Sequence, residues 1–254
     1  MFRTMERDPE SRVFGFRAVD PQEKTTLVRH VFDSVASKYD LMNDLMSGGV
    51  HRLWKDAFVA EVDPRPGQTI ADVAGGTGDI AFRMIRRTGG GARVHMVDLN
   101  EQMLRVGRDR AVDRGILEGV DYTVGNAEDL PLADRSVDLY TIAFGLRNVT
   151  RIDRALAEAR RVLRPGGRFL CLEFGKVRLP ALKAAYDAYS FSVLPRLGAL
   201  VARDAESYRY LAESIRTFPD QPTLARRMEA AGLTRARWIN LSGGIAAIHT
   251  GWRL

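Results

Sequence analysis

The chain has 254 residues, a formal net charge of +6 and a pI of about 9.7. That length suits one large α/β domain with a substantial single core, and the composition excludes a disordered chain. A single cysteine, Cys171, excludes an intrachain disulfide and a multi-cysteine zinc site, and no apolar run reaches transmembrane length.

The N-terminus has no apolar core of a signal peptide, so a reducing, cytoplasmic setting is expected. The arginines are scattered along helix faces rather than gathered in one run, which argues against nucleic acid as a partner. Residues 1 to about 20 mix charge with Phe14-Gly-Phe16 and read as a flexible lead-in whose two aromatics could pack over a site. From Pro21, Leu27, Val28, Val31, Phe32 and Val35 recur at spacings of three and four and predict an amphipathic helix.

Between Ser34 and Gly49, polar Lys38, Tyr39, Asp40, Asn43 and Asp44 interleave with Leu41, Met42, Leu45 and Met46. The apolar half is expected in the core. The polar half reads equally as a lid that faces a substrate and as a solvated face. His51 to Phe58 restarts a helix after Gly48-Gly49, and His51 reads as a surface or capping histidine rather than a base. Pro64-Arg-Pro-Gly67 closes this part, dividing the chain into an N-terminal helical lid region, 1–66, and a core domain, 67–254.

The core opens on Ile70-Ala-Asp-Val-Ala-Gly-Gly-Thr-Gly-Asp79, an apolar run that stops in a glycine-rich turn and resumes as the helical pattern Ile80, Ala81, Met84, Ile85. Gly75, Gly76 and Gly78 allow positive φ and close approach of a ligand to the main chain, with Thr77 between them. A second run, Ala92 to Asp98, ends on a carboxylate twenty positions after Gly78, placed to grip a ribose diol. This spacing fits a dinucleotide as well as other adenosine-containing cofactors. Charge separates them: Asp72 and Asp79 would repel a pyrophosphate at the helix N-terminus and suit a cofactor with a cationic ammonium and sulfonium, S-adenosylmethionine. Asp79 also reads as a helix N-cap, and Asp72 as a turn acceptor.

Asn100 to Asp113 is a predicted helix, Val120 to Val124 a third strand, and Asn126 and Ala127 follow where an adenine ring would lie beyond the strand ends. A fourth strand, Leu139 to Phe144, runs into Gly145-Leu-Arg-Asn-Val149. A guanidinium at the mouth of a buried strand is costly without an anion, so Arg147 reads as a site residue or as half of a structural ion pair. Ile152 to Leu163 is helical, and Arg168 to Phe174 is a fifth strand with Cys171 as inert core. A helix at Leu224 to Ala231 and strands at Leu233 to Ile239 and Ile245 to Trp252 complete seven strands, the last two as an edge hairpin. An insertion at about 180–222, rich in Tyr, Phe and Leu, is expected to cap the core or line a pocket for an apolar substrate. The expected fold is therefore a mostly parallel, Rossmann-like α/β sheet with helices on both faces.

The stretches Val31 to Asp44, Asp72 to Asp79, Gly125 to Pro131, Phe144 to Val149, Leu163 to Gly167 and Tyr208 to Ile215 together resemble the class I S-adenosylmethionine-dependent methyltransferases. Within them they resemble the quinone-biosynthesis C-methyltransferases that act on demethylmenaquinol or on the polyprenyl-benzoquinol precursor of ubiquinone. The resemblance implies cofactor contacts at Thr77, Asp98, Asn126 and Ala127. Its turn and strand ends add Asp72, Gly75, Gly76, Gly78 and Leu99. The family commonly has Ser where this chain has Ala143, so a contact there is lost or made by the backbone.

Methylation of a ring carbon needs a partly ionised ring hydroxyl. Arg147 is the expected cation that favours the phenolate, with Asn148 orienting the ring oxygen. Tyr39, Asp40 and Tyr208 are candidates to close the substrate pocket or relay the proton. A polyprenyl quinol substrate would bring a basic protein to the membrane surface as a peripheral protein, on the inner face. Alternatives are a methyltransferase of a soluble phenol or amine, and a non-catalytic subunit of a quinone-biosynthesis assembly. A homo-oligomer is equally compatible.

Overall fold

In the computed structural model, residues 13–35, 43–44, 47–177 and 205–254 are described. A short hairpin, β1 (Val13–Phe14) and β2 (Arg17–Ala18), leads into α1 (Pro21–Val35). The expected lead-in is therefore ordered from Val13. Phe14 is buried and its ring stacks at 4.2 Å on Tyr210, while the Phe16 amide donates to Glu213 Oε2 at 3.1 Å.

After α2 (His51–Val62), the core alternates β3 (Thr69–Val73), α3 (Asp79–Arg87), β4 (Arg93–Asp98), α4 (Glu101–Asp113) and β5 (Val120–Val124). It continues with β6 (Val137–Ala143), a single 3₁₀ turn at Leu146–Asn148, α5 (Ile152–Val162) and β7 (Leu163–Phe174). The end of the chain supplies α6 (Ala205–Thr217), α7 (Gln221–Ala230), β8 (Thr234–Leu241) and β9 (Ala246–Trp252).

The seven core strands lie in the order β5-β4-β3-β6-β7-β9-β8. All neighbours from β5 to β7 are parallel, and β9 runs antiparallel to both β7 and β8, so the expected edge hairpin is present. Trp54, Phe58, Phe82, Met84 and Met96 form the core on one face, under α2, α3, α4 and α6. Tyr140, Ile142, Leu156, Phe169, Leu224 and Met228 form it on the other, under α5 and α7. The strand order reverses between β3 and β6, and the carboxyl ends of these two strands part there to leave the crevice where α/β sheets bind ligands.

Two element starts differ from the pattern reading for a visible reason. β7 begins at Leu163 rather than Arg168, because Leu163 pairs with Val137 and the Gly166-Gly167 segment exchanges backbone hydrogen bonds with Arg253. α7 begins at Gln221 because the Asp220 carboxylate caps it, accepting from the Thr223 amide at 3.0 Å. The insertion at about 180–222 lies partly outside the described residues. Its described portion, α6, buries Tyr208, Leu211 and Ile215 in the core.

Lys55 on α2 is buried and donates to Asp79 Oδ2 at 2.9 Å, fastening α2 to the first turn of α3. Burial alone would raise the Asp79 carboxyl, but the Lys55 ammonium and Arg83 outweigh it and hold it at about 2. A depressed carboxyl stabilises the fold above its unfolded pKa, and that contribution disappears as pH falls through the folded value. Asp79→Asn is therefore expected to cost about 2 kcal/mol at pH 7 in urea unfolding, with the gap to the parent protein narrowing from pH 5 downward. A gap that does not depend on pH would refute the assignment.

Candidate functional site

At the end of β3 the backbone turns left-handed at Ala74 (φ 53°), Gly76 (φ 57°) and Gly78 (φ 84°). The Gly76 amide donates to Asp98 Oδ2 at 2.8 Å and the Asn100 amide to Asp98 Oδ1 at 2.8 Å. The turn and the end of β4 are thus locked by one carboxylate. Burial raises the Asp98 carboxyl, and the amides of Asn100, Gly76 and Leu99 oppose that rise. Asn100 caps α4 through the Met103 amide and donates from its side chain to Asp33 of α1 at 2.8 Å.

These elements enclose a pocket of about 820 Å³, measured out to its open mouth. Gly76, Asp98, Leu99, Asn126 and Ala127 line it, as expected for cofactor contacts, and so does Asn148. Its lining fits an adenosine group. A carboxylate stands at the diol position, Leu99, Met103 and Val73 give apolar walls, and a Cβ on Gly76 would press Met103 at 3.3 Å.

The remaining turn residues act from behind. Asp72 is buried, accepts from the Thr141 hydroxyl at 2.7 Å and does not line the pocket. Thr77 is buried and accepts from Arg110 at 2.9 Å. Gly75 donates to Val97 O, and a Cβ on it would collide with Met96 at 2.4 Å. Gly78 is the N-cap position of α3, with Phe82 filling the space a Cβ would need. Asp79 is neither an N-cap nor a pocket residue, since Lys55 and Arg83 take its charge. This corrects the sequence argument that two carboxylates at the turn select a cationic cofactor, because Asp79 presents no unbalanced charge.

Tyr39 and Asp40 lie outside the described residues. Arg147 is buried and does not line the pocket; it donates to Glu173 Oε1 at 2.7 Å and to the Phe144 carbonyl, and its guanidinium lies 5.4 Å from the Phe174 ring centroid. Burial raises the Glu173 carboxyl, and the Arg147 charge pulls it back down. Tyr208 is fully buried among core residues and also does not line the pocket. His51 is buried rather than superficial, with Nδ1 2.9 Å from Ser47 Oγ, and burial lowers its pKa.

Sequence reasoning missed one wall. Thr25, Val28, Arg29 and Phe32 of α1 line the pocket, a stripe at i, i+3, i+4 and i+7. The predicted apolar stripe of this helix contained Val28 and Phe32, and the polar Thr25 and Arg29 on the same face were the available signal. α1 is fastened to the strand-end loop by Lys24, whose Nζ donates to Val149 O at 3.3 Å, and by the Thr25 and Thr150 hydroxyls, 3.0 Å apart.

Comparison with known proteins follows from this geometry. Residues 19–253 match the model of the ubiE/COQ5 methyltransferase family. A ubiquinone/menaquinone biosynthesis C-methyltransferase UbiE of Acidiphilium cryptum is 60% identical over 95% of this chain and 96% of its own. The protein of that name in Brucella abortus is 56% identical over 95% and 90%. The solved structure of a SAM-dependent methyltransferase from Thermotoga maritima superposes with a TM-score of 0.62 at 21% identity, covering 89% of this chain and all of that one (100%), a likeness of fold.

Two predictions follow. Burial pushes the Asp72 carboxyl up to about 7 against the pull of Thr141 and the Ala81 amide. Between about pH 4 and 7 the folded state then holds a proton that the unfolded state has lost, so stability falls as pH rises, by up to about 4 kcal/mol. Asp72→Asn removes that slope, and unfolding free energies measured from pH 4 to 8 should move in favour of the variant; parallel profiles would sink the assignment. Separately, Arg147→Met strands Glu173 and is expected to cost about 3–5 kcal/mol. The double variant Arg147→Met/Glu173→Leu should recover most of it in the same denaturation experiment. No recovery would mean that the pair is not the source of the loss.

Proposed function

Because the chain belongs to the ubiE/COQ5 methyltransferase family, we propose that it transfers a methyl group from S-adenosylmethionine to a ring carbon of a polyprenylated quinol, in ubiquinone or menaquinone biosynthesis. The observation that carries this reading is a family match over nearly the whole chain, together with a pocket at the β3/β6 switch point whose lining fits an adenosine group. When bound, S-adenosylmethionine supplies an electrophilic sulfonium methyl.

The chain's own residues then have distinct tasks. Asp98 accepts from the ribose hydroxyls. Asn126, Ala127, Leu99 and Met103 would hold the adenine. Asp72, Gly75, Thr77 and Gly78 hold the turn in shape. Asn148, at the pocket wall, donates to the ring oxygen on which negative charge builds. Arg147 stabilises that charge from behind the wall through its field and through its hold on the Phe144 carbonyl, without touching the substrate. This differs from a guanidinium in direct contact and is consistent with Glu173 neutralising much of its charge. Alignment of methyl and ring carbon at ~3–3.5 Å supplies a large share of the rate, ~7–11 kcal/mol.

The N-terminal region, 1–66, serves as the lid of this pocket, with α1 its described wall; Tyr39 and Asp40, outside the described residues, are the proposed contacts to the substrate. Among the described residues no helix is long and apolar enough to cross a membrane. The protein works in the cytoplasm and meets the inner membrane surface peripherally, where its excess positive charge favours anionic headgroups.

The test is transfer of labelled methyl from S-adenosylmethionine to a reduced 2-methoxy-6-prenyl-benzoquinol and, in parallel, to demethylmenaquinol. Product from either is expected; none from either, with short-chain phenols methylated instead, would overturn the substrate. Asn148→Ala should lower kcat about 100-fold or more while leaving cofactor affinity in place. The refolded pair variant Arg147→Met/Glu173→Leu should stay slow despite recovered stability, and wild-type turnover there would reduce Arg147 to a structural role.

A further inference from the structure

Asn148 is held from the side opposite the pocket. The Tyr210 hydroxyl donates to Asn148 Oδ1 at 3.0 Å, and Asn148 Nδ2 lies 3.4 Å from the Phe144 carbonyl. Tyr210 is buried, and burial pushes its phenol well above the ordinary range, so the hydroxyl stays protonated across the working pH. Its ring is fixed by the face-to-face stack with Phe14 at 4.2 Å and 15°. The hairpin that carries Phe14 is itself docked on α6 through Gly15, whose missing Cβ leaves room for Glu213, and through the Phe16 amide on the same carboxylate. Tyr210 thus sits on a rigid helix with its oxygen placed by an aromatic neighbour, aimed at one atom of one pocket residue.

We propose that Tyr210 is the positioning residue for Asn148, and that it fixes the amide orientation so that Oδ1 is consumed internally and Nδ2 alone faces the pocket. A primary amide can turn by 180° and exchange donor for acceptor at nearly constant shape. The flipped state would turn the NH₂ toward Tyr210, set Oδ1 against the Phe144 carbonyl oxygen, and leave an acceptor toward the pocket. The pocket would then repel a ring oxygen that is gaining negative charge. The Phe144 carbonyl, which can only accept, selects the NH₂ for its own side, and Tyr210 holds Oδ1 on the other, so that together they convert an ambiguous amide into a committed donor, a requirement of the quinol reading given above, on which this inference rests. Neither the motif reading nor the pocket lining reveals it, because Tyr210 lies in the second small cavity, with Lys24, Arg147 and Ser214.

Tyr210→Phe keeps the ring and its stack and removes only the hydroxyl. With the reduced quinol that the wild-type protein methylates, the variant should lose roughly tenfold in kcat with KM and cofactor Kd changed less than about twofold. Asn148→Ala/Tyr210→Phe should be no slower than Asn148→Ala alone. Wild-type kcat in Tyr210→Phe, or losses that multiply in the double variant, would overturn the proposal. If the wild-type protein methylates neither quinol, the substrate reading fails and the positioning claim is decided separately by NMR. The Asn148 side-chain NH₂ resonances, identified by their absence in Asn148→Ala, should shift in Tyr210→Phe saturated with S-adenosylhomocysteine. Unchanged resonances would refute the contact whatever the substrate.

Discussion

The pocket depends on how β3 and β6 end. Both strands finish in a non-glycine residue with left-handed backbone, Ala74 at φ 53° and Phe144 at φ 54°, and both residues line the pocket. Such a conformation costs about 1–3 kcal/mol at each position and persists only where the surroundings over-determine it. Here they do. A Cβ on Gly145 would lie 2.4 Å from the Ala74 methyl, so the two strand ends touch through a glycine. The Phe144 amide is held by Leu172 O, and its carbonyl takes Arg147. Both strained residues line the pocket, which lies beyond the ends of these two strands.

Buried cations surround that opening, and each is matched rather than exposed to a ligand. Lys55 meets Asp79, Arg147 meets Glu173, and Lys24 meets the Val149 carbonyl. Unmatched burial of any of them would cost several kcal/mol, so they are fixed points of the architecture. The consequence for chemistry is that the strongest charges near the site are already partly neutralised. Fine control passes to dipoles: the amides on Asp98, the side-chain amide of Asn148 and the hydroxyl of Tyr210. Preorganised dipoles lose no reorganisation energy when charge develops, and the buried ion pairs keep them in place.

Much of this was legible in the sequence, and for a physical reason. The sheet announced itself through apolar runs that end in glycine or in carboxylates, and the parallel order followed from alternating strand and helix patterns. Asp98, Asn126, Ala127 and Asn148 were found because backbone topology alone brings strand ends to one edge. What stayed hidden depends on partners far apart in the chain. Asp79 read as a charge beside the cofactor or as a helix N-cap and is neither, and its partner stayed hidden because nothing in sequence brings Lys55 to it. Arg147 read as a site residue or as half of an ion pair, and its partner stayed unnamed because Glu173 is a strand residue in an otherwise apolar run. Tyr208 and Tyr210 stand two apart on one helix and so face opposite sides, and pattern alone does not say which side meets the core and which meets Asn148.

The segment 144–150 is where these threads meet. From one side it receives α1, through Lys24 on Val149 and Thr25 on Thr150; from the other it receives β7 and α6, through Glu173 on Arg147 and Tyr210 on Asn148. Its own pocket face carries Phe144, Gly145, Asn148, Val149 and Thr150. The fastening to α1 uses the ammonium of buried Lys24, worth about 1.5–3 kcal/mol, and one hydroxyl pair, about 0.5–1.5 kcal/mol, whereas the fastening to β7 is a fully buried ion pair. The two sides therefore differ in kind: α1 is held through a buried amine on a carbonyl and a hydroxyl pair, β7 through a buried ion pair, and stranding either buried cation would cost several kcal/mol. The segment is clamped from both faces, and the pocket residues it carries are held where they stand.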